Sequence, residues 1–385
     1  MTIAVASTPG VVERTRTGRF YSPELDVLRF FAFFGVFVFH AAPRTMDFYA
    51  AAGVPAWLSK LLISTFGAGA YGVDLFFALS AYLITSLLLR ERATTGKLDL
   101  RSFYVRRILR IWPLYLGFVA FAAIAARFLP WQNLPLRYVA GYTLLAGNWI
   151  YVFYGLPASF AIPLWTVSIE EQFYLAWPLA LRRASLRATA FMAIAVLLVA
   201  NIWRFGLVAL AAPAQAMEYN TFTRLDPIAL GVLLALFAGK LPALSTWQRI
   251  TLLAAAVAAW IVTFWFTVVI ELPKLSTWQS ALGHLLTAVA SAAVLFSVMG
   301  SQNAFLRNKW LLYLGKISYG LYVLHEFAHY CAMRLLPAST PWQVTEQSAF
   351  SLALTILLAA ASYRWLESPF LRLKERFAYV QSRPV

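Results

Sequence analysis

About ten stretches of this chain stay apolar for the roughly 20 residues an α-helix needs to cross a bilayer, and no other feature limits the fold as much. They fall at 24–43, 70–89, 112–130, 163–181, 188–209, 222–239, 250–270, 278–299, 311–333 and 346–365. Of the 385 residues, 61% are hydrophobic and only 12% charged, against about 25% charged in soluble domains. Lipid is the solvent such a chain is written for. The expectation is an all-α, polytopic transmembrane helical bundle with the lipid bilayer as its surroundings.

The charged residues then set the topology. A net charge of +16 suits nucleic acid as well as a membrane, but nucleic-acid-binding cations gather on one folded face. Here they punctuate apolar segments, so no nucleic-acid partner is expected. With a cytosolic N-terminus and ten spans, 22 of the 32 Lys and Arg fall on the cytosolic side, as the positive-inside rule requires. Counting 138–157 as a further span would put Arg182, Arg183 and Arg187 outside. That segment is therefore expected to be re-entrant or interfacial, with both termini cytosolic. Residues 1–22 read as a disordered cytosolic N-terminus, 23–370 as the membrane domain and 371–385 as a cytosolic tail. No short apolar core with a small-residue cleavage site precedes the first span, so no cleaved signal peptide is expected. Cys331 is the lone cysteine and can form no internal disulfide. In 99–111, Asp99 can cap a short helix with Leu100, Tyr104, Ile108 and Ile111 on one side and Arg106, Arg107 and Arg110 on another. This predicts an amphipathic helix at the inner membrane surface.

Ionisable residues inside spans are costly and point to function. Arg29 and His40 are eleven residues apart, close to three helical turns, so they share a face about 16 Å apart along the axis. A snorkelling Arg and an interfacial His are the bland alternative. Asp74 opens the second span at the depth of His40 and can orient its imidazole, or simply favour a helix start. Trp165, Ser168, Glu170, Glu171 and Gln172 open the fourth span and read as the lining of an acceptor cavity, with interfacial anchoring the other reading. His325-Glu-Phe-Ala-His329 is literally the H-E-x-x-H string of zinc metalloproteases. A catalytic zinc usually takes a third protein ligand and no such context stands out, so no metal is expected.

Taken in order, these segments resemble the acyltransferase-3 family of membrane O-acyltransferases over nearly all of 22–375. Leu25-Asp26, Leu28-Arg29 and His40 resemble its first-helix Arg-to-His motif, and Gly72-Val-Asp74-Leu-Phe-Phe-Ala-Leu-Ser80 its second-helix signature. Phe103-Tyr-Val-Arg106-Arg107-Ile-Leu-Arg110-Ile-Trp-Pro113 resembles its Arg-x-x-Arg segment, and residues 165–174 its W-S-L-S-V-E-E-Q-F-Y block. Arg224-Leu-Asp226 with Gly231, and Leu314-Gly-Lys-Ile-Ser318-Tyr319 with His325, match its late helices. Ala81 stands where the family usually has Gly, Val27 replaces another common Gly, and the Pro often found just after the position of His325 is missing. Many members carry an esterase-like domain after the last span; none is expected here.

The resemblance implies transfer of an acyl group from cytosolic acyl-CoA, acetyl-CoA first of all, to a hydroxyl of a cell-envelope carbohydrate such as O-antigen or exopolysaccharide, in a bacterial inner (plasma) membrane. A small-molecule acceptor such as a macrolide is the alternative within the family. A secondary transporter and an intramembrane metalloprotease are the alternatives outside it. His40 is then the expected general base, with Asp74 or Glu170 orienting it and Arg29 beside the thioester arm. Arg106, Arg107 and Arg110 offer guanidinium forks to the CoA phosphates. Trp165, Ser168, Glu171, Gln172, Tyr319 and His325 are the expected substrate-binding residues.

Overall fold

The computed structural model describes residues 21–266 and 277–378. The expected disordered N-terminus, apart from Tyr21 and Ser22, and residues 379–385 of the expected tail lie outside the described residues, as do residues 267–270 of the span placed at 250–270. Among the described residues there is no strand, only one isolated bridge between Asn133 and Ala158.

Seventeen α-helices follow one another among the described residues: α1 Pro23–Ala41, α2 Met46–Ala51, α3 Ala56–Gly67, α4 Gly72–Thr95, α5 Leu100–Phe128, α6 Leu136–Thr143, α7 Gly147–Tyr154, α8 Leu164–Leu181, α9 Leu186–Ala209, α10 Ala214–Glu218, α11 Asp226–Phe237, α12 Thr246–Phe264, α13 Thr277–Val298, α14 Lys309–Lys316, α15 Ser318–Leu335, α16 Pro341–Ser362 and α17 Ser368–Glu375. Local chemistry sets their ends. Asp99 accepts from the Ser102 backbone N–H at 3.1 Å to start α5, and Gly96, at φ +76°, lets α4 stop just before it. Ser245 with Gln248 and Thr340 with Gln343 form reciprocal capping boxes that start α12 and α16.

Among the described residues, six helices are long and apolar enough to cross a membrane: Ala56–Thr95 (α3 and α4 joined by a short turn), Leu100–Phe128, Leu186–Ala209, Thr246–Phe264, Ala281–Val298 and Pro341–Glu375. The outermost wear their apolar residues outward. On α9, Phe191, Ile194, Leu198 and Ile202 form an exposed stripe, while Thr189, Ala193, Ala200 and Arg204 face inward. In water such a stripe would drive association; in lipid it is the solvated face.

The four remaining expected spans fall on helices that are too polar, too short or broken. α1 carries Glu24, Asp26 and Arg29, α8 carries Glu170, Glu171 and Gln172, and α11 has only 12 residues. The stretch 311–333, expected as one span, is interrupted at Ile317 into α14 and α15. These elements build the polar interior. α1 packs against α4, α14 and α15, with Leu25, Val27, Phe33 and Val36 buried. At Gly35 and Gly69 two backbones meet so closely that a Cβ on Gly69 would overlap the Gly35 carbonyl. Packing through small residues is how helices associate where lipid removes the hydrophobic drive.

Two local expectations change form. Residues 99–111 are not a separate surface helix. They are the first part of the 29-residue α5, which runs through Pro113 into the next apolar stretch. Residues 138–157 hold α6 and α7, of eight residues each, so each is about 12 Å long and too short to cross a bilayer.

Candidate active site

Helices α1, α4, α5, α8, α15 and α17 enclose a cavity of ≈ 170 Å³. Along α4 it reaches from Glu91 to Val73, 18 residues or about 27 Å of helix. At the end where α1 begins, its walls carry Arg29, Arg106, Arg107, Arg110 and Lys374. Among these cations stand Asp26, Glu91 and Glu170. Arg29 pairs with Asp26 at 2.8 Å one turn before it. Arg107 lies 5.6 Å from the Phe103 ring centroid and 5.5 Å from that of Tyr174, and its buried Nε has no hydrogen-bond partner among the described residues. Arg106 is more committed: Nη2 pairs with Glu91 Oε2 at 2.8 Å, and Nη1 donates to the Phe377 carbonyl oxygen at 2.6 Å.

α8 offers the cavity one stripe, Thr166, Glu170 and Tyr174, spaced four residues apart on one face. Ser80 Oγ donates to Glu170 Oε1 at 2.7 Å. The rest of the expected α8 block points elsewhere, into packing contacts, with Glu171 Oε1 left buried and without a hydrogen-bond partner among the described residues. Ser168 Oγ accepts from the Gly147 N–H at 3.2 Å. Gln172 Nε2 donates to the Leu145 carbonyl and to Asn148 Oδ1, while its Oε1 accepts from Thr221 at 2.6 Å. Trp112 Nε1 donates to Glu171 Oε2 at 3.0 Å, and Trp165 lies under the Arg224 guanidinium. None of these four lines the cavity. Ser168 and Gln172 pin α7 and the turn before it to α8, and Glu171 ties α8 to α5 through Trp112. Tyr319 does line it, with its hydroxyl donating to the Ile111 carbonyl at 2.9 Å.

The cavity ends at Tyr322. Thr166 Oγ1 donates to the Tyr322 hydroxyl at 2.8 Å, and that hydroxyl donates to the Pro163 carbonyl at 3.4 Å. The Tyr322 ring meets Phe76 edge-on, centroids 5.6 Å apart. One turn further along α15, about 6 Å, lies the second polar centre. His40 Nδ1, in the last turn of α1, is 2.6 Å from Glu326 Oε1. An ionised carboxylate oxygen only accepts, so Nδ1 is the donor in this contact and Nε2 is the ring nitrogen that Glu326 does not engage. The His40 side chain is 28% exposed, the Glu326 side chain 10%. His325, fully buried, donates Nδ1–H to the Tyr322 carbonyl at 2.6 Å and turns Nε2 toward Glu326 Oε1 at 3.9 Å.

The partner of His40 is therefore neither of the carboxylates expected. Asp74 faces Arg224 at 3.4 Å, and Glu170 holds Ser80. Depth alone points to both, and depth says nothing about direction around the helix. Glu326 carries its own signal as the acid inside H-E-x-x-H. As for a metal, His40, His325 and Glu326 offer ligand atoms within 4.8 Å of one another. The His40–Glu326 contact has hydrogen-bond length, whereas two ligands each about 2.0–2.2 Å from a zinc stand farther apart than that.

A separate buried network ties α9 to α11. Arg204, 0% exposed, pairs with Asp226 and donates to the Thr223 carbonyl at 2.7 Å, and Asn201 Nδ2 donates to Asp226 Oδ1 at 2.9 Å.

In comparisons with known proteins, a family model described as an acyltransferase domain matches residues 22–364. The O-acetyltransferase OatA of Staphylococcus aureus is 28% identical over 370 residues, covering 91% of this chain and 57% of that protein. The peptidoglycan O-acetyltransferase OatA of Listeria monocytogenes is 27% identical over 381 residues, covering 92% and 56%. This chain thus spans little more than half the length of the curated relatives it matches. No solved structure matches it.

Proposed function

The chain belongs to the acyltransferase-3 family, whose model spans 22–364, and we propose that it is a membrane O-acyltransferase moving an acetyl group from cytosolic acetyl-CoA to a hydroxyl of a cell-envelope carbohydrate. We place the basic mouth of the cavity and both termini in the cytosol of a bacterium, with about ten helical segments crossing its inner membrane.

One observation carries this reading: a cation-lined cavity about 27 Å long along α4 stops one helical turn short of a histidine–carboxylate pair. The cations suit the phosphates of CoA, and the length suits the pantetheine arm. His40 supplies the base. Its Nε2 takes the proton of the acceptor hydroxyl as the oxygen attacks the thioester carbonyl carbon. The C–O bond forms, the C–S bond breaks, and the departing thiolate takes up the proton that His40 removed, which restores the base. Glu326 holds the imidazole in the right tautomer and stabilises the imidazolium, the role of the carboxylate in other base–orienter pairs. An outer-facing acceptor suits the partial exposure of His40. The peptidoglycan acceptor in the name of the Listeria relative supports a glycan as the acceptor class.

The test is transfer of radiolabel from acetyl-CoA to isolated envelope glycans by the protein in proteoliposomes. Label reaching the glycan with wild-type protein but not with His40→Ala supports the reading. No label on any glycan, or full transfer by that variant, sinks it.

A further inference from the structure

Beyond α16 the chain passes through a π-helical turn, Tyr363–Glu367, and enters α17, which packs against α5. This lays the end of the described chain across the basic mouth of the cavity, where Lys374 and Ala378 form part of the wall. The contact that fastens it comes from Arg106. One nitrogen of that guanidinium donates to the Phe377 carbonyl at 2.6 Å, and another pairs with Glu91 at 2.8 Å. Glu91 is itself buried and accepts the Asp99 N–H at 3.0 Å through its other oxygen. Arg106 thus ties the end of α4, the start of α5 and the segment after α17 into one knot. For Arg106 to bind a phosphate, it would have to leave a buried carboxylate, an exchange that strands a charge.

We propose that α17 completes the donor site: Lys374 supplies a cation to the CoA phosphates beside Arg107 and Arg110, and Arg106 is a positioning residue that holds α17 in place. This rests on the acyl-CoA reading above. It divides the Arg-x-x-Arg segment into two jobs. Arg107 and Arg110 line the cavity as phosphate ligands, while Arg106 latches the lid-like end of the chain that brings the third cation.

Because the acceptor is unidentified, the experiment uses binding of CoA itself to the full chain in detergent, measured calorimetrically, with pantetheine as the phosphate-free comparison. Lys374→Ala should weaken CoA binding about tenfold, the loss of one charge-assisted contact, leave pantetheine binding unchanged, and be rescued by Lys374→Arg. Arg106→Ala should cost a similar factor, and adding Lys374→Ala to it should cost little more, since the latch acts through the lysine. CoA binding at wild-type strength in Lys374→Ala overturns the inference, as do fully multiplicative losses in the double variant. If Arg106→Ala does not fold, the Lys374 pair of variants still decides the lysine's role. Wild-type protein that binds neither CoA nor acetyl-CoA overturns the acyl-CoA reading and this inference with it. Weakened pantetheine binding in Lys374→Ala shows a general distortion of the cavity and overturns the inference alone.

Discussion

His40 Nδ1 lies 2.6 Å from Glu326 Oε1, joining the last turn of α1 to the middle of α15. The pair makes a sharp expectation for kinetics. Glu326→Gln keeps the side chain's shape and a hydrogen-bonding oxygen but loses the charge that stabilises an imidazolium. We expect transfer to fall about 10²-fold in kcat with little change in KM, and His40→Ala to fall further, toward 10⁴-fold. Initial rates of acetyl transfer, on protein whose melting temperature matches wild type, check both. Near-normal kcat in Glu326→Gln would remove the carboxylate from the mechanism.

Arg204 and Asp226 bear on stability instead. Both are buried, and Arg204 spends its donors on Asp226, the Thr223 carbonyl and Asn201 Oδ1. Asp226→Ala leaves the guanidinium without its counter-charge inside the bundle, a loss of about 3 kcal/mol or more. Thermal unfolding in detergent should show it as a clear drop in midpoint. The double variant Arg204→Met with Asp226→Leu removes both charges and should recover part of the loss. A double variant as unstable as the single one would contradict this account.

The pattern of apolar stretches makes the helical membrane architecture legible, because length and hydropathy alone decide which segments can enter lipid. Arg29, the cations of α5 and Glu170 are legible as cavity residues for a related reason: a charge inside an apolar segment must find an enclosed polar space. Partner choice is not legible. Counting helical turns along separate segments gives each carboxylate a depth and no direction, and only the way α15 packs beside α1 selects Glu326. The break at Ile317 is hidden as well, since an apolar stretch reads the same whether or not its helix is interrupted. Lys374 escapes a reading of the sequence because a basic residue after the last span looks like any cytosolic anchor until α17 folds back over α5.

Close backbone contact offers a further test. Gly69 faces Gly35 of α1 with no space for a Cβ, five residues before His40. Gly69→Val must push α1 off its seat, and overpacking of this kind costs about 1–3 kcal/mol. The displaced α1 should also lose its registry with Glu326, so activity should fall more than stability does. Gly117, inside α5, is the control, because a Cβ added there would meet only open space. Gly117→Ala should leave activity intact and raise stability by up to about 1 kcal/mol. Melting curves and transfer rates for the two variants, measured together, separate the effects.

Tyr322 lies between the cation-lined cavity and the His40–Glu326 pair, held by Thr166 and Pro163 on one side and edge-on to Phe76 on the other. Beyond it His40 is partly open to solvent. On the acetyl-CoA reading proposed above, the thioester reaches the acceptor past this ring, and taking the ring away widens that passage enough to admit water. Tyr322→Ala should therefore release free acetate from acetyl-CoA without any acceptor, with the ratio of hydrolysis to transfer rising about tenfold or more, a loss of water exclusion. Tyr322→Phe keeps the ring as a barrier, and Thr166 still has the Pro163 carbonyl at 3.0 Å to donate to, so its hydrolysis should stay close to wild type. Counting labelled acetate and labelled acceptor in the same reaction gives the ratio directly. Equal ratios in Tyr322→Ala and wild type would mean that this ring is no barrier between the two sites.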